Sequence, residues 1–400
     1  HGTSATSEVR EFRIRMGMEL DLMNLWFGKT ADYFKQFISD QTIGMARINR
    51  FDFTTLPINL LYLLYYEYRR NEKESLNFSF FEYGKNSNGN PDDDRWEMYL
   101  ELQEMYAILQ RWYNDKELYH YLGFLFFNFK AQTPFRDIYT QWKALNSRDK
   151  FLKDIQHTIA TRMLDRYLEE TEKAAPDYQK CLKTITEAIS DFRENWYNND
   201  KELYQILILL DIFRILDSKS IKKLPTDYFT RKSGQKDGED KEHILSQTPR
   251  KDNGEIATIK TDWERFAQSE DFKDIRSQMQ EILNHSDAEL TEQELTQLQN
   301  LLNSAGLNSI GNMVLLDLRI NRSYGNADYA HKRTIIFQEY MNQKYVRPHT
   351  LAVFMKGDID AREATGIPLN RWTLEDIKRN TDKIAKEIGK NFNAWLTQNN

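Results

Sequence analysis

The chain has 400 residues, 40% of them apolar and 29% charged, with a formal net charge of −6; it is too long for one compact core and points to two or three domains. No apolar run approaches the ~18 residues that span a bilayer, which argues against a membrane protein, and no basic start followed by an apolar core marks a secretory signal. Cys181 is the single cysteine, so neither an intrachain disulfide nor a cysteine-based zinc site can form, in keeping with a reducing cytoplasm. The chain begins at His1 and not at Met, which suggests a piece of something longer.

From Glu8 to about Asp217 the pattern is helical. Met98, Leu102, Met105, Tyr106, Leu109 and Trp112 recur at three and four positions, as do Leu203, Ile206, Leu207, Leu210, Phe213 and Leu216. The dense aromatics in this half (Trp26, Phe27, Tyr62, Tyr65, Tyr66, Phe124, Phe126, Phe127) read as core. Residues 84–94 form a Gly-, Asn- and Asp-rich loop, and Pro134 is expected to begin a helix. Residues 218–240 are polar, interrupted by Pro225, Gly234 and Gly238, and read as a linker. Beyond it the expected elements are a short strand Glu242–Leu245, helices Thr261–Leu283 and Leu290–Leu302, and a second strand Ile310–Leu318. A turn at Gly325 leads to a helix from about Ala327 to Tyr345, and Thr373 caps a last helix that runs to about Trp395.

The resulting expectation is a mainly α protein with a small ββα unit embedded in helices. Its parts are a helical domain over 1–218, a linker over 219–240, a ββα domain over 241–345 with a helical insertion at about 255–305, and a helical extension over 346–400. Charge is uneven: residues 311–400 hold 14 basic and 10 acidic side chains. A local positive surplus on an acidic chain suits a phosphate-binding surface, and equally a solvated helix pair.

Of the seven histidines, His120, His157, His285 and His349 sit in helical or Pro-flanked surroundings with no evident chemical partner. His243 stands apart, because it follows Glu242 at the start of a short apolar strand. Residues 310–321 read IGNMVLLDLRIN, with Asn312 and Asn321 nine positions apart around a second apolar strand, and the helix after the Gly turn carries Lys332 and Arg333. Taken singly, Asn312 is also a plausible turn residue after Gly311, and Asn321 a helix-approach cap. Phosphodiester cleavage needs a base to activate water and a cation at the phosphate. Glu242 and the amide oxygen of Asn321 are hard ligands suited to Mg²⁺ or Mn²⁺, and the imidazole of His243 is suited to taking a proton. No GxxxxGK[ST], GxGxxG or HExxH occurs, so NTPase, dinucleotide and zinc-protease chemistry have no local support.

On EHILS (242–246), GNMVLL (311–316), Asn321 and HKR (331–333), the chain resembles the HNH nuclease half of GmrSD-type proteins, restriction factors against modified phage DNA. WTLEDIKR (372–379), Trp395 and WYNDKELYHYLGFL (112–125) are also similar to that family. The resemblance implies a cytoplasmic, metal-dependent endonuclease acting on DNA in defence, with no membrane. Glu242 and Asn321 would be metal ligands, His243 the general base and Asn312 a residue orienting His243 or its loop; Lys332 and Arg333 would grip phosphates. The sequence departs from the family pattern in three ways. Ser246 replaces the Pro after His-Ile-x, some sixty residues separate the motif strands, and there is no Asp-Gly-Gln-Arg-type nucleotide-binding motif. The last departure suggests either a carboxy-terminal piece whose sensor domain or subunit is absent from this chain or a protein that lost its sensor.

Neighbours on a regular strand face opposite ways, so Glu242 and His243 share one site only if the strand is bulged or ends there. Otherwise Glu242 falls back to a salt bridge and His331 becomes the reserve ligand. The competing expectation is a helical binding or regulatory module whose HNH-like part is degenerate.

Overall fold

The computed structural model describes residues 2–70, 75–77, 80–81, 91–219, 222–230, 238–246, 248–249, 255–318, 320, 329–356 and 370–397. Helices dominate, and the strands among these residues form one two-stranded sheet. The chain divides into compact units of residues 1–159 and 160–400, a division that falls inside the 1–218 stretch expected as one helical domain.

The first unit holds α1 (Gly2–Phe34), α2 (Asp40–Ile48), α3 (Asn59–Arg69), α4 (Pro91–Asn114), α5 (Lys116–Phe129), α6 (Phe135–Leu145) and most of α7 (Arg148–Leu164). Caps set several helix starts. Ser39 accepts from the Thr42 amide at the start of α2, and Asp115 accepts from the amides of Glu117 and Leu118, 3.0 Å each, at the start of α5. Arg148 clasps both Asp115 oxygens at 2.9 and 3.0 Å. Burial alone would raise the Asp115 carboxyl, but Arg148 and the helix-start amides hold it below its ordinary value. Pro134 is the residue before α6 and not its first. Of the aromatics expected in the core, Phe27, Tyr65, Tyr66, Phe124 and Phe126 are buried, while Trp26, Tyr62 and Phe127 are half-buried. Around them Trp112 stacks on Phe151 at 5.5 Å and Phe37 on Phe126 at 3.9 Å.

The second unit runs α8 (Tyr178–Ser190), α9 (Asp200–Asp217), β1 (Glu239–His243), α10 (Lys260–Ala267), α11 (Arg276–Asn284), α12 (Glu292–Ser304), β2 (Met313–Asp317), α13 (Tyr329–Met341), α14 (Pro348–Met355) and α15 (Leu374–Thr397). The helix expected over 261–283 is broken in two. After Ala267 the chain turns, and Arg276 donates to the carbonyls of Ala267, Gln268 and Ser269 at 3.1 Å each, satisfying the open end of α10. Both strands are shifted from expectation. β1 begins three residues earlier and stops at His243, because Ile244 and Leu245 belong to the following turn; β2 starts at Met313, because residues 310–312 form a helical turn. They pair antiparallel from Glu239 opposite Asp317 to His243 opposite Met313. In the stretch read as a linker, Leu224 and Phe229 are fully buried and Gly238 accepts from the Leu318 amide at 2.9 Å. The described part of the helix expected from Ala327 is Tyr329–Met341; Ala327 and Gly325 lie outside the described residues.

Two polar contacts organise this unit. At the start of β1, buried Arg347 binds both oxygens of Glu239 at 2.7 and 2.6 Å and Asp211 of α9 at 2.7 Å, and Asp211 also accepts from the His349 amide. Thr373 and Asp376 cap α15 reciprocally, the Thr373 amide donating to Asp376 at 2.9 Å and the Asp376 amide to Thr373 at 3.3 Å. α15 packs along α8 and against the 310–312 turn, where Asn380 donates to the Gly311 carbonyl at 2.9 Å.

That approach explains Gly311. A Cβ there would lie 2.2 Å from Thr381 Oγ1 and 2.3 Å from the Ile377 carbonyl. Gly311→Ala should therefore cost roughly 1–3 kcal/mol through overpacking. Gly389→Ala, whose Cβ would meet only Thr186 Cγ2 at 3.1 Å, should be near neutral because a helical alanine gains about 1 kcal/mol. Thermal melts of the two variants compare them; equal melting points would contradict the close packing. Arg347→Met would strand two buried carboxylates and should lower stability by roughly 3–5 kcal/mol, read as a large drop in the same melt.

Candidate active site at the end of β1

His243 is the last residue of β1, and the register is regular through both it and Glu242. Glu242 thus takes the salt-bridge role expected on a regular strand, and its side chain meets different partners from that of His243. β1 ends at His243, so a centre shared by the two is confined to the end of the strand. On one side Lys332, from the first turn of α13, donates to Glu242 Oε1 at 3.0 Å and to the His243 carbonyl at 2.7 Å. On the other, the His243 ring stacks on Tyr197, with centroids 4.8 Å apart at 22°, and its Nε2 lies 2.9 Å from Asn308 Oδ1. Lys241, two residues before His243, places its ammonium 4.0 Å from the centre of the Tyr197 ring and pairs with Asp200.

Lys332 is revised from the expected phosphate contact. Its side chain is 1% exposed, so the charge is held inside the protein. Burial pushes the ammonium below the ordinary lysine range and the Glu242 carboxylate opposes that shift. Arg333, half-buried, donates to the Phe354 carbonyl at 2.9 Å and lies 4.4 Å over the Phe337 ring. His331 is exposed.

Asn312 is fully buried, and its side-chain hydrogen bonds go to the backbone and not to the imidazole. It accepts from the Leu245 amide at 2.8 Å and donates to the Leu245 and Leu307 carbonyls at 3.1 and 2.9 Å, while its own carbonyl accepts from the Ile244 amide. It thus fixes the turn that carries the chain away from His243. Asn321 lies outside the described residues.

Tyr197, Asn303 and Asn308 were not anticipated. Tyr197 stands 46 positions before His243 in a stretch without chemical signature. Asn308 stands four residues before Asn312 and belongs to no motif. In the fold it is 5% exposed, its amide donates to Asn303 Oδ1 at 2.7 Å, and its carbonyl accepts from the Trp196 amide at 2.9 Å.

Among the described residues no three His, Cys, Asp or Glu side chains gather as a metal site. The donor chemistry at Glu242 nonetheless suits a hard divalent ion: Lys332 engages one carboxylate oxygen, and an ionised carboxylate can use its second for a cation.

A family model for the C-terminal domain of GmrSD restriction endonucleases matches residues 178–387. The chain belongs to that family. No curated protein and no solved structure matches it. The GmrSD match contains β1, β2, α13, Tyr197 and Asn308, and membership implies a restriction-endonuclease role in defence with DNA as its substrate. Among the described residues no helix is long and apolar enough to cross a membrane.

The contacts of this GmrSD domain predict two stability losses. Asn312→Ala removes three buried hydrogen bonds and should cost roughly 2–4 kcal/mol. Lys332→Met should cost about 3 kcal/mol, the low end for a broken buried pair, since Glu242 keeps some solvent access. Adding Glu242→Leu to Lys332→Met should recover part of that loss in chemical denaturation. A double variant no more stable than Lys332→Met would contradict the pairing.

Proposed function

We propose that this GmrSD chain is a metal-dependent HNH endonuclease that hydrolyses DNA phosphodiester bonds at the end of β1. The observation that carries the reading is the meeting of three motif elements there: Glu242 and His243 close β1, Lys332 of α13 binds both, and Asn312 of the Gly-Asn motif fixes the turn that follows. Two antiparallel strands followed by a helix that closes back onto the first strand is the arrangement a ββα nuclease needs.

In this reading His243 takes the proton of the attacking water, held in orientation by the Tyr197 stack and by Asn308. Glu242, through its second carboxylate oxygen, and Asn321 would hold Mg²⁺ or Mn²⁺. A bound cation supplies stabilisation of the charge that builds on the phosphate and the leaving oxygen. Lys332 holds Glu242 in place and fixes the backbone of His243. It acts as an internal strut, while phosphate contact is left to Arg333 and other basic groups. Such a site engages the backbone and not the bases, so cleavage at this centre should show little sequence preference.

The test is plasmid cleavage with Mg²⁺ or Mn²⁺, comparing the native chain with His243→Ala at matched concentration. Nicking that disappears in the variant and with EDTA is the expected outcome, with a loss of at least about 100-fold for removal of a general base. Cleavage that survives His243→Ala would refute the assignment. Absence of cleavage by the native chain would leave two readings. One is the regulatory module, in which the HNH-like part is degenerate as Ser246 in place of the family proline suggests; the other is a site that waits for a sensor domain. The same assay on the full-length protein separates the two.

A further inference from the structure

We infer that Asn308 is a positioning residue that fixes the tautomer and the orientation of the His243 ring, leaving Nδ1 as its basic nitrogen. The inference deepens the reading of His243 as a base and names a residue that no sequence motif marks.

The geometry is a chain of amides ending on the imidazole. Asn303 Oδ1 accepts from Asn308 Nδ2 at 2.7 Å, which turns Asn308 Oδ1 toward His243 Nε2 at 2.9 Å. An amide oxygen can only accept, so the neutral imidazole must carry its proton on Nε2, and the lone pair then resides on Nδ1. The backbone around Asn308 is equally constrained. Its carbonyl accepts from the Trp196 amide at 2.9 Å, which ties Asn308 to the turn whose next residue, Tyr197, stacks on the imidazole. On the far side of this turn, Asn312 holds the Leu307 carbonyl at 2.9 Å. The ring is therefore gripped at an edge by Asn308 and on a face by Tyr197, while Lys332 holds its backbone carbonyl. A base held in one tautomer spends no time in the form that presents N–H to the water.

The experiment uses the full chain labelled with ¹⁵N-histidine, with His243→Ala identifying the His243 signals. Nitrogen shifts at a pH where imidazoles are neutral report the tautomer without requiring activity. The native ring should carry its proton on Nε2, Asn308→Asp should preserve that form by keeping an acceptor, and Asn308→Leu should lose it. DNA cleavage should fall about ten-fold or more in Asn308→Leu, the size of loss seen when a partner that orients a metal-bound histidine is removed, and be retained in Asn308→Asp, with circular dichroism confirming that each variant folds. A native ring protonated on Nδ1 would overturn the inference, as would an unchanged tautomer in Asn308→Leu. Should Asn308→Leu fail to fold, the native and Asn308→Asp tautomers still decide it. An Nε2–H ring that depends on Asn308 in a chain that cleaves no DNA would uphold the positioning and defeat the reading of His243 as a nuclease base.

Discussion

The second unit turns on one buried ammonium. Lys332 reaches from α13 to a side-chain oxygen of Glu242 and the backbone oxygen of His243, and a charge taken out of water is tolerable only while both acceptors stay in place. Because the acceptors belong to adjacent residues of one strand, the contact fixes helix, strand and register together. A slip of one residue would send Glu242 to the face now occupied by His243 and leave the ammonium without its carboxylate. The opposite end of β1 is held the same way, by Arg347 between Glu239 and Asp211. A two-stranded ribbon this short has little stability of its own; here a buried cation pins it at either end.

Around this strut the asparagines divide the remaining work. Asn312 serves as a peptide-like link between Leu245 and Leu307, and Asn308 carries the same turn to the imidazole. Gly311 lets α15 settle directly on that turn, so the last helix closes over the backbone that aims these amides. The arrangement makes His243 the end of a rigid polar framework, with Glu242 on the side of α13 and the ring on the side of Tyr197.

What the sequence reveals here is what local chemistry encodes. The Thr373–Asp376 cap sits three residues apart and is visible in sequence, and α15 ends only two residues past the expected Trp395. The break between α10 and α11 is not visible. Trp263, Ala267, Ile275, Met279 and Leu283 are all buried in one core, so the apolar pattern continues while the backbone does not. Ile244 and Leu245 misled for a related reason: they are apolar and buried, but in a turn held by Asn312, which lies 67 positions away. Lys332 beside Arg333 looks like a solvated basic pair until Glu242, 90 positions upstream, is brought beneath it. Tyr197 and Asn308 carry no local signal, since their meaning comes only from the ring they hold.

The central claim is that the close of β1 is a cation-assisted phosphodiester centre, and the most direct measurement is Mn²⁺ binding by electron paramagnetic resonance on the full chain and on Glu242→Gln. The substitution keeps the shape and one acceptor oxygen for Lys332 and removes the charge and the second oxygen that would hold the ion. The expected result is a Mn²⁺ site in the native chain that is lost or strongly weakened in Glu242→Gln. Equal Mn²⁺ binding by both chains, or none by the native one, would contradict the claim.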